Sequence, residues 1–493
     1  MPFIIGADIG TTNVKSVAFD LSGNILASHS VGYPIYYPQT DWSEQDPDEM
    51  LRATLESIKT VYEMCKKQGE LKGIAFSAAM HSLIALDEQG RPLTRSIIWA
   101  DNRSADIADA LRHSADGRLL YHRNGTPIHA MTPACKLMWL RQHQPDLFAR
   151  APMYVGIKEY ILYKLTGKYL ADYSLASATG LFNIRRLRWD NWTLNFLHLD
   201  EAQLPQAVSP FHIEELAADN GMGLPAGTPL IMGASDGCLA NLGSGAMTPD
   251  SMAVTIGTSG AARVISRSPY TDEQMRTFCY LLDEKTYIVG GATNNGGVIF
   301  QWLKDALFAE WDYDTLFGAA AQIAPGADGL LFLPYLLGER APLWNSAVRG
   351  GFTGLDIKHT KAHFARAVME GILLNLYSIG KVLMEDRSVT SIYANGGFAR
   401  SPVWVQMLAD VFGIPVRLND TVDTGSVGAA MVGLKALGLI KDYAEVPLFT
   451  PVEQVVEPNA TAHRAYAGVS DNFNQMAQLL LDQVHKERVP SAE

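Results

Sequence analysis

One short pattern occurs twice in the chain and limits the folds that it can adopt. An apolar stretch from Phe3 to Ile9 is followed by Gly10-Thr11-Thr12 and then by residues that alternate in strand fashion. In the second copy, Ser251 to Ile256 is followed by Gly257-Thr258-Ser259. Each copy predicts a strand, a tight turn and a returning strand. Because one copy stands near the start of each half, we predict two duplicated α/β domains facing each other across a cleft.

The length supports the same division. A chain of 493 residues exceeds the ~250–300 residues at which one hydrophobic core stops growing. Hydrophobic residues make up 47% and charged residues 19%, which is typical of globular proteins. The stretch from Gly243 to Pro249 is the expected boundary, so the predicted domains are residues 1–245 and 246–493.

The charge and the cysteines argue against several classes of protein. A net charge of −12 disfavours a broad surface for nucleic acid or anionic membrane. The cysteines, Cys65, Cys135, Cys238 and Cys279, are far apart and predict buried thiols, with neither disulfides nor a zinc site. No signal peptide and no run of ~20 apolar residues is apparent. We therefore expect a cytoplasmic protein without a membrane span.

Three glycine-rich turns are candidates for holding phosphate. Gly10, with Thr11 and Thr12, would offer backbone N–H groups and hydroxyls to an anion, and Asp8 at the strand end could hold magnesium. A plain hairpin turn is the alternative, which the second copy at Gly257 makes less favoured. The third turn, Asn395-Gly396-Gly397, follows a predicted strand and precedes a predicted helix. It is consistent with a nucleotide site at a helix N-terminus or with an ordinary tight turn.

Other signatures of nucleotide enzymes and hydrolases are missing. The sequence has no GxxxxGK[ST] motif, no HRD and DFG pair, no HExxH and no GxSxG. Gly221 to Ala226 formally fits a dinucleotide fingerprint, but it contains Pro225 and follows no convincing strand. We interpret it as a loop.

Two longer motifs resemble those of the FGGY carbohydrate kinases, and the likeness spans nearly the whole chain. The first is Met131-Thr-Pro-Ala-Cys-Lys-Leu-Met-Trp-Leu140, and the second runs from Gly350-Gly-Phe-Thr-Gly-Leu355 to Glu370. The resemblance implies a pair of ribonuclease-H-like domains of the actin and hexokinase type, with ATP and sugar bound in the cleft. It assigns the sugar, the first phosphate turn and the catalytic aspartate to the N-terminal domain and the nucleotide to the C-terminal domain.

The resemblance also implies roles for individual residues. Asp236, in Gly233-Ala-Ser-Asp-Gly237, matches the catalytic base, although an ordinary helix N-cap is the alternative. Asp8 matches the magnesium aspartate, so the implied cofactors are ATP and Mg²⁺. The implied ATP contacts are Gly10, Thr11, Thr12, Lys15, Gly257, Thr258, Gly297, Gln301, Gly396, Gly397 and Ser401. The implied sugar contacts are Met80, His81, Trp99, Asp101 and Arg103.

Within the family, the chain is most similar to the gluconate kinases. Ala79-Met-His-Ser82, Gly156-Ile-Lys-Glu-Tyr160 and Gly338-Glu-Arg-Ala-Pro342 carry that likeness. Xylulose kinases share the Met-His pair and stay the alternative, whereas Gly237 after the aspartate counts against glycerol. A gluconate carboxylate calls for a cation or N–H donors. His81, Lys158 and Arg103 are the candidates. Each also has an ordinary alternative role: His81 could bond only a neutral hydroxyl, Lys158 could pair with an acidic residue near its helix, and Arg103 could hold Asp101 in its loop.

Two classes of function follow. The first is an enzyme that moves the γ-phosphate of ATP to a small carbohydrate, most simply D-gluconate, with Asp236 as general base. The second is a non-catalytic, actin-like nucleotide sensor. Asp236 favours the enzyme, because a sensor needs no carboxylate at an acceptor hydroxyl. The expected partners are the carbohydrate and ATP, without nucleic acid or membrane, and a homodimer is compatible with the family.

Overall fold

The computed structural model describes residues 1–419, 423–443 and 451–488. The chain folds into two compact units. The first consists of residues 1–247, 266–288 and 423–451, and the second of residues 248–265, 289–422 and 452–493. Each unit is thus assembled from three separate segments of the chain. The domain bounds 1–245 and 246–493 stay a prediction.

Strands and helices are mixed throughout the described chain. The strands are β1 (Phe3–Ile9), β2 (Asn13–Asp20), β3 (Ile25–Gly32), β4 (Glu44–Gln45), β5 (Leu71–Ala78), β6 (Ile84–Leu86), β7 (Ser96–Ile97), β8 (Met153–Val155), β9 (Leu170–Asp172), β10 (Phe182–Asn183), β11 (Arg188–Trp189), β12 (Gln206–Val208), β13 (Ile213–Glu215), β14 (Pro229–Ser235), β15 (Ser251–Ile256), β16 (Gly260–Ser266), β17 (Phe278–Asp283), β18 (Thr286–Thr293), β19 (Leu331–Leu333), β20 (Gly351–Thr353), β21 (Ser391–Asn395), β22 (Val416–Asn419) and β23 (Val452–Val456). The helices are α1 (Pro47–Cys65), α2 (Ala105–Arg112), α3 (Ala115–Asn124), α4 (Pro133–His143), α5 (Pro145–Arg150), α6 (Ile157–Thr166), α7 (Tyr173–Ser177), α8 (Asn191–Leu197), α9 (Asp236–Gly243), α10 (Gly297–Leu307), α11 (Tyr313–Ala321), α12 (Lys361–Met384), α13 (Pro402–Phe412), α14 (Thr424–Ala436) and α15 (Ala460–Arg488).

The first unit is built on a six-stranded sheet in the order β13-β14-β5-β1-β2-β3. The apolar β1 lies in its interior, antiparallel to β2 and parallel to β5, and β14 is parallel to β5. Six of the seven residues of β1 are buried, as expected for a strand covered on both faces. Helix α14 packs on this strand so closely that Gly6 faces the backbone carbonyl of Ser426.

The second unit repeats the pattern. Strand β15 is antiparallel to β16 and parallel to β21, β21 is parallel to β22, and β23 is antiparallel to β22. The predicted strand–turn–strand copies are therefore both present, as β1–β2 and β15–β16. The predicted loop at Gly221 to Ala226 contains neither helix nor strand. The cysteines are free and buried, as expected.

Helix α12 corrects one expectation from the sequence. Over Lys361–Met384 it is long and apolar enough to cross a membrane by length and composition, although no such segment was expected. In the structure 78% of its apolar window is buried inside the protein. Its polar residues Arg366 and Glu370 form an ion pair, with 2.6 Å between Nε and Oε1. Such burial is typical of the central helix of a folded domain.

The close approach of α14 to β1 leads to a test at Gly6. We expect Gly6→Ala to lower the free energy of unfolding by about 1–3 kcal/mol, because the new methyl group meets a backbone carbonyl that can move only with its helix. Gly318→Ala in α11 is the control, since a Cβ there meets open space and alanine favours a helix by roughly 0.5–1 kcal/mol. Urea unfolding measures both, and an unchanged Gly6→Ala midpoint would contradict the packing described.

Candidate active site

Three parallel strands of the first unit end at one edge of its sheet and carry the predicted reactive residues there. The register pairs Asp8 of β1 with Ser77 of β5, and Ser77 with Ala234 of β14. Two residues beyond Ala234 is Asp236, and His81 follows the end of β5. Ligands of open α/β sheets bind at the carboxyl ends of such strands. The fold thus brings together side chains that are distant in sequence.

Asp236 is the first residue of α9 and is half-buried. The helix cap is supplied by Ser235, whose side chain accepts a hydrogen bond from the backbone N–H of Cys238. Asp236 Oδ1 accepts from the N–H of Gly237 at 2.7 Å. Because Ser235 already fills the N-cap position, the N-cap of α9 does not depend on Asp236.

Asp8, the residue predicted to hold magnesium, has a hydrogen-bond partner on the neighbouring strand. Its Oδ1 accepts a hydrogen bond from Ser77 Oγ at 2.6 Å. Burial raises the pKa of Asp8; the Ser77 hydrogen bond opposes this shift, and the neighbouring Asp423 carboxylate adds to it. A carboxylate with a second carboxylate near it offers the oxygen ligands that a hard divalent cation prefers. Within the described residues no group of three or more His, Cys, Asp or Glu is placed to hold a metal ion.

Asp423 was missed by the sequence analysis. It precedes α14 and pairs with Lys15, at 2.5 Å between Oδ1 and Nζ. Lys15, predicted to contact ATP, therefore has a carboxylate partner in this structure. The only available signal in the sequence was an acidic residue just before a Thr-Gly-Ser helix start.

The turn at Gly10 to Thr12 links the predicted phosphate and sugar sides. The Gly10 N–H donates to Asn13 O at 2.9 Å, which closes the turn. Trp99 Nε1 donates to Thr11 Oγ1 at 2.9 Å. Thr12 is exposed. The structure therefore joins a residue predicted to bind phosphate directly to one predicted to bind sugar.

His81 follows β5 and has an unusual backbone conformation. Its φ is +70°, a left-handed conformation that costs energy for a residue other than glycine. Its Nδ1 lies 2.8 Å from the carbonyl oxygen of Ala178, so Nδ1 carries the hydrogen, and a neutral ring has Nε2 as acceptor. Met80 before it is half-buried.

Asp101 and Arg103 form a buried ion pair. Asp101 is fully buried and accepts from Ser43 N at 2.7 Å. Arg103 donates to both oxygens of Asp101 and to Glu44, and its guanidinium lies 3.7 Å from the Trp42 ring centroid. Its side chain is only 3% exposed. This placement favours the alternative in which Arg103 orders the loop, and it argues against substrate contacts by either residue.

Lys158 requires a correction of the same kind. No part of its side chain is exposed. Its Nζ donates to the carbonyl oxygens of Met232 and Ala234 at 3.0 and 3.2 Å and lies 2.7 Å from Asp172 Oδ2. The ammonium thus has two backbone acceptors and a carboxylate ion-pair partner, all within the protein. Lys158 supports the strand that leads to Asp236, and this argues against the predicted contact with a substrate carboxylate.

The second unit presents two of the predicted nucleotide turns. Gly257 and Thr258 are exposed, and helix α10 begins against them: the N–H of Gly297 donates to Gly257 O at 2.7 Å. Gln301 is exposed one turn further along α10. The first two N–H groups of α10, those of Gly297 and Val298, therefore donate to carbonyls of the turn itself.

The third turn follows β21, which is parallel to β15. Gly396 has φ +103°, and a Cβ there would meet the carbonyl of Ile256, so only glycine fits. Gly397 is exposed beside it. Ser401 is buried and its Oγ caps α13 by accepting from Trp404 N, which favours a structural role over the predicted nucleotide contact.

Comparisons with known proteins agree with this architecture. Residues 3–243 match the N-terminal domain of the FGGY family of carbohydrate kinases, and residues 252–437 match its C-terminal domain. The chain is 41% identical to a gluconokinase of Bacillus subtilis (98% of this chain, 96% of the relative) and 44% identical to one of Bacillus licheniformis (90% and 89%). It is 32% identical to a xylulose kinase of Staphylococcus epidermidis, over 94% of both chains.

Solved structures of similar proteins carry both names. A ligand-bound xylulose kinase from Lactobacillus acidophilus superposes with a TM-score of 0.95 at 35% identity, covering 98% of this chain and 99% of that one. A gluconate kinase from the same organism superposes with a TM-score of 0.94 at 36% identity, covering 97% and 98%.

The raised pKa of Asp8 predicts a pH-dependent gain in stability when its charge is removed. In metal-free protein we expect Asp8→Asn to be more stable than wild type at pH 8, because the ionised carboxylate is disfavoured in the folded state. The gain should shrink as the pH falls towards the range in which Asp8 is protonated in both states. Urea unfolding with a chelator, at pH 8 and pH 5, measures it.

Asp20→Asn is the matched control. Burial alone would raise the pKa of Asp20, but hydrogen bonds from Asn24 and Ser22 outweigh it and lower the pKa. Its substitution should therefore reduce stability at pH 8, and the loss should shrink as the pH falls. A loss of stability at pH 8 in both variants would contradict the assignment for Asp8.

Proposed function

Since the chain belongs to the FGGY family of carbohydrate kinases, we propose that it transfers the γ-phosphate of ATP to D-gluconate, giving 6-phospho-D-gluconate and ADP. The observation that carries the proposal is the shared edge of three parallel strands: Asp8 lies near the end of β1, and His81 and Asp236 follow the ends of β5 and β14. We propose that the ends of these strands supply a metal ligand, a carbohydrate contact and a general base to one site.

Asp236 is proposed as the general base. It takes the proton of the acceptor hydroxyl while that oxygen bonds to the γ-phosphorus and the bond from phosphorus to the β–γ bridging oxygen breaks, releasing ADP. Its position at the start of α9, with the Gly237 N–H donating to Oδ1, holds the carboxylate at the carboxyl end of β14. Because Ser235 caps the helix, this task does not compete with capping.

Asp8 is proposed to hold Mg²⁺, which would neutralise charge on the phosphates. Asp423 adds negative charge close to Asp8, and Lys15 is held by Asp423 at the same place. The turns at Gly10–Thr12, Gly257–Thr258 and Gly396–Gly397 are proposed as the phosphate and nucleotide contacts, because each has at least one exposed residue and a glycine turn lets an anion come close to the backbone. Gly297 and Gln301 extend this set along α10.

Gluconate is favoured over D-xylulose by the relatives. The two named gluconokinases are 41% and 44% identical to this chain, and the xylulose kinase is 32% identical. The proteins of known structure distinguish the two candidates less, because the gluconate kinase is 36% identical to this chain and the xylulose kinase 35%. D-Xylulose kinase is therefore the second candidate. A non-catalytic sensor is not favoured, since the chain has the carboxylate that such a protein does not need.

Among the cations predicted to meet a substrate carboxylate, only His81 keeps that role in the proposal. Lys158 and Arg103 are committed to carbonyls and carboxylates of the protein. With Nδ1 bound to Ala178, Nε2 of His81 accepts from a sugar hydroxyl when neutral and donates to a carboxylate when protonated. A homodimer and a cytoplasmic location stay predictions.

An assay of ADP release tests the substrate. With ATP and Mg²⁺ present, we expect strong turnover on D-gluconate and little on D-xylulose, L-ribulose, glycerol or without sugar, because only gluconate combines a carboxylate with the required hydroxyls. Preference for D-xylulose would retain the mechanism and overturn the choice of substrate. No turnover on any of these carbohydrates would count against both.

Asp236→Asn tests the base. Loss of the proton acceptor should lower kcat by about 10²–10⁴-fold, while calorimetry shows ATP binding largely unchanged. Asp116→Asn is the control, an exposed aspartate in the first turn of α3, and it should match wild type. Near-normal turnover by Asp236→Asn would exclude the assigned role.

A further inference from the structure

Lys136 lies in the first family motif, on α4, yet the proposed function gives it no task. It is completely buried. Its Nζ donates to three backbone carbonyl oxygens, of His81 at 2.6 Å, Ile98 at 2.8 Å and Ile97 at 3.0 Å. An ammonium has three hydrogens and no acceptor, so this set uses its full bonding capacity.

The three carbonyls belong to two separate segments that carry the predicted carbohydrate contacts. One is the residue His81 itself, whose left-handed φ of +70° must be held by its surroundings. The others directly precede Trp99, which donates to Thr11. The segments also meet through a pair of backbone hydrogen bonds between Leu83 and Ile97, at 2.9 and 3.0 Å. Lys136 therefore lies where both loops are anchored.

The rest of the helix supports the same loops. Thr132 caps α4 by accepting from Cys135 N, and Pro133 follows at its start. Trp139, three residues after Lys136 and so on the same face, makes an edge-to-face contact with Trp42, with 5.4 Å between ring centroids. The Arg103 guanidinium lies 5.3 Å from the Trp139 ring centroid. The motif thus presents one face to the loop that follows Trp99.

The charge environment of Lys136 is mixed. Burial is the main cause that lowers the pKa of Lys136 to about 7, and the nearby Arg103 also lowers it. Asp101 and, less strongly, Cys135 raise the pKa in opposition. A buried cation is costly unless its hydrogen bonds are satisfied. The three carbonyls meet this requirement. The buried ammonium is therefore stable only while the two loops keep these carbonyls in place.

We propose that Lys136 is a positioning residue for the carbohydrate: its ammonium holds the carbonyls of His81 and of residues 97–98 together and so sets the orientation of the His81 and Trp99 side chains. This inference rests on the proposed function for its effect on catalysis. The role is indirect, because Lys136 has no exposed atom that could touch a substrate.

Lys136→Met tests the proposal, since methionine fills a similar volume without hydrogen-bond donors. We expect KM for the carbohydrate to rise by about tenfold or more, with KM for ATP unchanged and kcat reduced less. Amide hydrogen exchange should rise in peptides covering residues 79–102 and not elsewhere. Lys136→Arg, which keeps the charge with a different fork of donors, should recover part of the carbohydrate affinity.

Arg123→Met is the matched control for a general loss of stability. Arg123 pairs with Asp190 through two hydrogen bonds of 2.8 Å, and neither residue is a predicted carbohydrate contact. It should lower the melting temperature while leaving KM for the carbohydrate near the wild-type value. If Lys136→Met does not fold, Lys136→Gln, which retains two N–H donors, takes its place with a smaller expected rise in KM.

Three results for Lys136→Met would overturn the proposal. The first is a carbohydrate KM within about twofold of the wild-type value, and the second is an equal change in KM for carbohydrate and for ATP. The third is an increase in amide hydrogen exchange over the whole chain, which would indicate a general loss of stability. If wild type phosphorylates none of the carbohydrates, the proposed function fails on its own. Exchange at residues 79–102 in Lys136→Met then still decides whether Lys136 holds the two loops.

Discussion

The parallel register of β1, β5 and β14 is the constraint on which the rest of the first unit depends. It places Asp8 beside Ser77 and Ser77 beside Ala234, so the ends of the three strands coincide. The hydrogen bond from Ser77 to Asp8 exists only at this register, and a slip by one residue would turn these side chains to the opposite face. The close packing of α14 on Gly6 fixes β1 in that register from one side.

Two buried lysines then extend this order to the loops. Lys158 donates to carbonyls of β14 just before Asp236, and Lys136 donates to carbonyls just before Trp99 and at His81. Both ammonium groups donate to backbone carbonyls. A side-chain acceptor could turn away by changing its rotamer, whereas a backbone carbonyl cannot, so each lysine fixes a segment of main chain. Irregular segments next to an active site lack the ladder of hydrogen bonds that orders a strand, and these lysines supply part of it.

The sequence predicted those features that depend on neighbouring residues. The duplicated strand–turn–strand units follow from local patterns, and the family motifs extended them to the fold. The requirement for glycine at Gly396 does not, because it comes from the carbonyl of Ile256 on a distant strand. Features that depend on distant segments could not be predicted. Asp423 lies near Asp8, yet the two are separated in sequence by most of the chain, including much of the second unit. The residues next to Lys158 in the sequence likewise do not show whether its side chain contacts a substrate or the carbonyls of Met232 and Ala234. For the same reason Lys136, inside a recognised motif, had no predicted task.

The commitment of Lys158 and Arg103 to the protein bears on how such an enzyme chooses its substrate. A site that binds a carboxylate through a dedicated, desolvated arginine would reject a neutral ketose strongly, because the cation would be left unpaired. If His81 and backbone N–H groups do the selecting, the difference between an aldonate and a ketose is spread over weaker contacts. A small number of substitutions could then exchange the preference without altering the scaffold. The near-equal superposition of proteins named for xylulose and for gluconate, with TM-scores of 0.95 and 0.94, agrees with a scaffold of this kind.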